Sequence, residues 1–153
     1  MTEPWTHYSV DTIEAFQETA QKNDLIRMGM GKPLGLYFAR GEQWKKWCKN
    51  NSWHLGKKKY FLNNVDNLKL LVINASNVAE FHKTHALGAR YNWVKVAEEY
   101  DGVIIEYNEI MNGLSMSEDY YMFISSMDCD TLCIWKNVEI DTQMRVEKNE
   151  DDV

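Results

Sequence analysis

The chain has 153 residues, 44% of them hydrophobic and 26% charged, which is enough for one domain with its own core and too few for two of ordinary size. No run approaches the ~18–20 apolar residues that cross a bilayer, and 2 Pro with 8 Gly exclude collagen-like and linker compositions. With 17 basic against 23 acidic residues the formal charge is −6, which speaks against a general nucleic-acid coat because phosphate binding needs a positive surface.

In chain order, Ile13, Phe16 and Ala20 recur at helical spacing and predict a helix from Ser9 to Asn23, with Ser9 or Asp11 as its N-cap. Gly29, Gly31 and Pro33 enforce a loop, and Leu34 to Ala39 is an apolar run bounded by turn formers, hence a buried strand. Glu42 to Asn50 predicts a helix with Trp44, Trp47 and Cys48 on one face and Lys45, Lys46 and Lys49 on the other. Tyr60–Leu62 and Leu68–Ile73 read as strands, Ser76–His85 and Asn92–Tyr100 as helices, and Asp101-Gly102 as a turn. Val103–Tyr107, Tyr120–Ser125 and Leu132–Trp135 complete the predicted strands through their β-branched and aromatic content.

Strands cluster late and do not alternate strictly with helices. That order predicts an α+β fold with a mixed, mostly antiparallel sheet and flanking helices, not a doubly wound parallel sheet. Gly29-Met30-Gly31 is only G-x-G and lacks the rest of a dinucleotide fingerprint. Residues 1–140 form one expected domain, and the acidic segment 141–153, with little to bury, is expected to fray.

The chain contains no G-x-S-x-G elbow, Walker loop or H-E-x-x-H. Its most specific string is Gly35-Leu36-Tyr37-Phe38-Ala39, followed by Trp44, Trp47 and Cys48. It resembles the G-(I/L)-Y-F-A strand of the ADP-ribosyltransferase fold in the poly-ADP-ribose polymerase and diphtheria-toxin branch. The resemblance implies a His on an early strand, a Tyr on this strand and a Glu on a later one, matched here by His7, Tyr37 and Glu106, with Glu109 as a rival. It further implies NAD as the bound cofactor, with Tyr8, Ser9, Gly35 and Arg40 beside it. His7 would bind the ribose, Tyr37 would stack on nicotinamide, and Glu106 would stabilise the positive charge that develops as nicotinamide leaves. The family's L-x-H-G-(S/T) string reads Thr6-His7-Tyr8-Ser9 here, without the Gly.

A second likeness joins Tyr100-Asp101-Gly102-Val103 to Cys133-Ile134-Trp135, which is similar to the C-terminal strands of small uncharacterised phage proteins. It implies a host cytoplasm, a host protein as target or partner, and an alternative role as a non-catalytic anti-defence inhibitor that occludes that partner. The acidic composition, the many aromatics and the missing Gly of the His motif fit that alternative.

Cys48, Cys129 and Cys133 are an odd set suited to a reducing compartment, and the N-terminus carries no signal-peptide pattern, so a cytoplasmic location is expected. The Cys129/Cys133 spacing lacks a second Cys pair, and even with His82 and His85 one helical turn apart no metal is expected. Six lysines between Lys45 and Lys59 read first as a solvated helix face and a Lys-protected edge strand. The other reading is a basic patch in which Trp53 and His54 stack on a base, although a nucleic-acid partner is not the leading expectation.

Overall fold

Trp5–Ser9 forms β1 in the computed structural model, which describes residues 3–9, 18–21, 31–62, 65–88, 90–136 and 144–148. The chain continues through β2 (Leu36–Arg40), α1 (Gln43–Asn50), β3 (Lys58–Leu62), β4 (Leu70–Ile73), α2 (Val78–His85), β5 (Ala86–Leu87) and β6 (Arg90–Tyr91). It ends with α3 (Trp93–Ala97), β7 (Gly102–Ile105), α4 (Tyr107–Met111), α5 (Tyr121–Ser125), β8 (Thr131–Ile134) and β9 (Met144–Lys148). The main sheet runs β4-β7-β8-β2-β1-β3-β9, with β5–β6 as a separate hairpin. Within it only β4 and β7 are parallel. A parallel pair needs a long crossover, and α2, the hairpin and α3 supply it. The fold is α+β with a mixed, mostly antiparallel sheet and flanking helices, and none of the described helices is long and apolar enough to cross a membrane.

Side-chain alternation divides the apolar residues between the two sheet faces. Ile73, Val103, Ile105 and Cys133 pack with Phe81, Tyr91, Trp93, Phe123 and Trp135 in the helix-covered core. Trp5, Phe38, Leu62, Leu132 and Ile134 fill the opposite face beneath Val65 and Leu68. Buried indoles keep hydrogen-bond partners: Trp93 Nε1 donates to the Gly31 carbonyl at 2.7 Å and Trp135 Nε1 to that of Tyr100 at 2.8 Å.

Several elements differ from the sequence reading, each for a physical reason. Tyr120–Ser125 is not a strand. Tyr120, Phe123, Ile124 and Met127 recur at i, i+3, i+4 and i+7; α5 buries Phe123 and Ile124, and Met127 is buried just past its end, while Met122 stays 55% exposed. That periodicity overrides the β preference of the single residues. The strand expected to reach Tyr107 stops at Ile105, because Glu106 occupies the N-cap position of α4. Ser9 does not start a helix; it pairs with Lys58 at the end of β1. Residues 18–21 of that expected helix have no regular structure, and its residues 10–17 and 22–23 lie outside those described. In the segment expected to fray, Met144–Lys148 pairs with all of β3, since a strand edge asks for backbone hydrogen bonds more than for apolar side chains. β3 is therefore internal to the sheet, and its lysines do not guard an edge.

Gly35 fixes the approach of β2 to β8. Its φ is +151°, and a Cβ there would lie 2.5 Å from the Ile134 carbonyl oxygen and 2.8 Å from Cys133 Sγ. Both obstacles belong to a fully buried strand, so neither can yield cheaply. Gly35→Ala is expected to lower the unfolding free energy by about 2 kcal/mol or more, measured by urea denaturation. A near-neutral result would mean that β2 can slide along β8.

Candidate functional site

β1 pairs with β3 over all five of its residues but with β2 only through Trp5↔Arg40 and Thr6↔Ala39. Beyond Thr6 the two strands part, and the His7 ring enters the gap, 5.7 Å from Phe38 and 6.2 Å from Tyr60 between ring centres. His7 Nδ1 lies 2.6 Å from the Tyr37 carbonyl oxygen. A carbonyl only accepts, so Nδ1 carries the proton and Nε2 presents a lone pair. Burial holds His7 below its ordinary value, with the Tyr37 hydrogen bond opposing in part, so the ring is neutral near pH 7.

The parted strands form one wall of a cleft of about 290 Å³. Thr6, His7, Tyr8, Tyr37, Phe38 and Ala39 come from β1 and β2, and Trp44 from α1. Lys32 and the Met127–Cys129 turn, with Thr131, complete it. The volume lies at the lower edge of small-ligand pockets and suits one ring and its immediate substituents. The Tyr37 hydroxyl donates to the Pro33 carbonyl, and burial pushes it far above the usual phenol range, so Tyr37 offers a ring face and not an acid. Burial pushes the Cys129 thiol up to about 12, which keeps it protonated and unsuited to nucleophilic attack.

Asp128 is the carboxylate of this cleft. It adopts φ +67°, a left-handed conformation that Asp and Asn tolerate better than most residues. Burial raises its pKa, and Lys32 opposes that in part. A desolvated carboxylate facing aromatic walls is an electrostatic feature suited to a ligand that carries or develops positive charge.

The residues named from the sequence divide between two places. His7, Tyr37 and Tyr8 line the cleft, and the Tyr8 hydroxyl donates to Glu42 Oε2 at 2.9 Å. Glu106 and Arg40 do not. Arg40 Nη2 meets Glu106 Oε2 at 2.9 Å, its Nε meets Asp130 Oδ2 at 3.2 Å, and its guanidinium covers the Trp5 ring at 4.5 Å. Gln43 and Asn108 complete the network around Asp130. Ser9 lies beyond the cleft at the end of β1, Gly35 serves the β2–β8 approach, and Glu109 Oε2 accepts from the Ala75 amide. Among the described residues no group of three or more His, Cys, Asp or Glu side chains is placed to hold a metal.

The sequence reading passed over Lys32 and Asp128, and it named Trp44 only on a helix face after the strand motif, with no role at the site. The signal for Asp128 was its place between two buried residues at the entry to a buried strand, a position no motif marks. No protein-family model, curated protein or solved structure matches the chain.

Two stability measurements test the electrostatics of the cleft. Asp128→Asn keeps the left-handed tolerance and removes the desolvated charge, so the melting midpoint at neutral pH should rise; a fall would mean that the charge is well solvated. For His7, the unfolded chain takes up a proton before the folded one, so stability declines as pH falls below about 6.5. His7→Gln should reduce the loss of urea midpoint between about pH 7.5 and pH 5.5. Burial also lowers His85, which contributes the same sign in both proteins.

Proposed function

We propose that this chain is a small ADP-ribosyltransferase-like protein whose cleft takes the nicotinamide half of NAD, and that it modifies a host macromolecule. The observation that carries this reading is that His7 and Tyr37 share one cleft at the parting of β1 and β2. His7 Nε2 is an acceptor for a ribose hydroxyl, and the Tyr37 ring is a flat apolar wall for nicotinamide. The bond from ribose C1′ to the nicotinamide nitrogen breaks with its electron pair leaving on nicotinamide. A nucleophilic atom of the target forms the new bond at C1′, and its proton passes to solvent. Positive charge grows on the ribose as the first bond lengthens, and a fixed carboxylate lowers that barrier. Asp128 lines the cleft, whereas Glu106, which the resemblance assigns to this role, is paired with Arg40.

The pairing of Glu106 favours a second reading, a non-catalytic inhibitor that occludes a host protein with the same fold. Calorimetric titration with NAD and transfer of labelled ADP-ribose to lysate proteins separate the two. Under the transferase reading the wild type binds NAD and labels a target, and His7→Ala weakens binding about tenfold. Asp128→Asn leaves binding largely intact while slowing transfer about a hundredfold. If Glu106→Gln abolishes transfer and Asp128→Asn does not, the carboxylate role returns to Glu106. Absence of NAD binding, together with a stoichiometric host complex that survives His7→Ala and Glu106→Ala, establishes the inhibitor.

A further inference from the structure

The three tryptophans around α1 form a graded series. Trp44, at the cleft wall, stacks on Trp47 with ring centres 4.9 Å apart and planes 7° from parallel. Trp47 in turn meets Trp53 edge-on at 6.0 Å. Trp53 is 61% exposed, the most exposed aromatic ring among the large hydrophobics of the described residues. Its position is built by the backbone. Ser52 adopts φ +52°, a left-handed conformation that is costly for a residue with a Cβ, and the Trp53 amide then donates to the Cys48 carbonyl at 2.9 Å. The turn folds an indole back over the end of the helix instead of letting it follow the chain into solvent. Burial does not account for this arrangement, since Trp53 gains little shelter from it.

The charge around the series is opposite to that of the molecule. Residues 40–59 hold seven Lys or Arg and a single acid, Glu42; Arg40 is paired with Glu106 and Asp130 and Lys59 with Glu42, and the remaining positions hold ten basic and twenty-two acidic residues. Lys57 and Lys58, four and five residues past Trp53, are exposed at the entry to β3, while the exposed Lys46 and Lys49 lie on the side of α1 away from Trp44 and Trp47. Flat aromatic faces set among flexible cations are the chemistry that takes an unpaired base by stacking and its phosphates by charge. An acidic polypeptide would satisfy the lysines but leave the exposed indole without a planar partner. A duplex would satisfy the lysines too, but its bases are already stacked on each other.

We propose that the Trp44–Trp47–Trp53 series with its flanking lysines is a binding surface for single-stranded nucleic acid. This surface is independent of what the cleft binds. It revises the expectation drawn from net charge, because the contacting surface and not the total is what a phosphate backbone meets.

Fluorescence anisotropy with a labelled oligo-dT of about twelve nucleotides tests it. Binding at low salt should weaken steeply as salt rises. Trp53→Ala should weaken it about tenfold, and Trp53→Phe should restore most of the loss. The pair Lys57→Gln and Lys58→Gln should lower the salt slope by about one to two. Trp53 is exposed, so its replacement leaves the fold in place, and circular dichroism checks this. No binding at low salt, equal affinity of the wild type and Trp53→Ala, or equal affinity for a duplex of the same length overturns the proposal. Displacement of the oligonucleotide by an equal charge concentration of polyglutamate also overturns it, in favour of an acidic protein partner.

Discussion

One hydrogen bond organises the site: His7 Nδ1 donates to the Tyr37 carbonyl at 2.6 Å. That carbonyl belongs to β2, which is central to the sheet and bonded on its other side to β8. In a regular ladder it would receive an amide of β1. Here β1 follows β3 instead, and a side chain takes the place of the missing amide. An unsatisfied carbonyl in this half-buried setting would cost about 1–3 kcal/mol, so the imidazole is what allows the strands to part without penalty. The cleft is the space this leaves, and the same bond fixes the tautomer of the ring that borders it.

The other end of the same strands is closed as firmly as this end is open. Arg40 stands at the end of β2, Glu106 just past β7 and Asp130 just before β8, and one guanidinium joins all three. These side chains are partly shielded, and Asp130 keeps further polar neighbours in Gln43 and Asn108, so the network pins three strand ends together. Arg40 also covers Trp5, the first residue of β1, and so anchors that strand where it is still paired with β2. A strand held at one end and released at the other makes a wedge, and a wedge between strands is open to a planar ligand. The structural assignment of Arg40 and the place of His7 at the cleft are thus two consequences of one geometry.

Burial and periodicity carried most of the fold into the sequence. Leu34–Ala39 read as a buried strand, and Leu132–Trp135 as a strand, because both faces of the sheet are covered there, which leaves near-continuous apolar runs. α5 was hidden because Tyr, Phe and Ile favour strands one at a time, and only their spacing reveals a helix. β9 was hidden for a different reason: its place depends on the backbone edge of β3, which no local pattern of 144–148 encodes. At the site, His7 and Tyr37 meet because β1 and β2 are neighbouring strands. Glu106 was misleading because proximity across a sheet depends on strand order. β8 and β2 lie between β7 and β1, a separation of about 14 Å from three strand spacings. Asp128 could be found only from the fold, since the turn before β8 reaches the cleft through the β2–β8 pairing.

Net charge misleads in the same way that sequence proximity does, because both average over distances that matter. Charges more than about 8 Å apart on the surface are largely screened at physiological salt. A phosphate near Trp53 therefore responds to the exposed Lys57 and Lys58 more than to the overall −6. The acidic remainder still has an effect at longer range and lower salt. On the proposed surface a single strand would seat against the Trp53 face. Because Trp44 belongs both to that face and to the cleft wall, a strand seated on the tryptophans would be delivered to the mouth of the cleft.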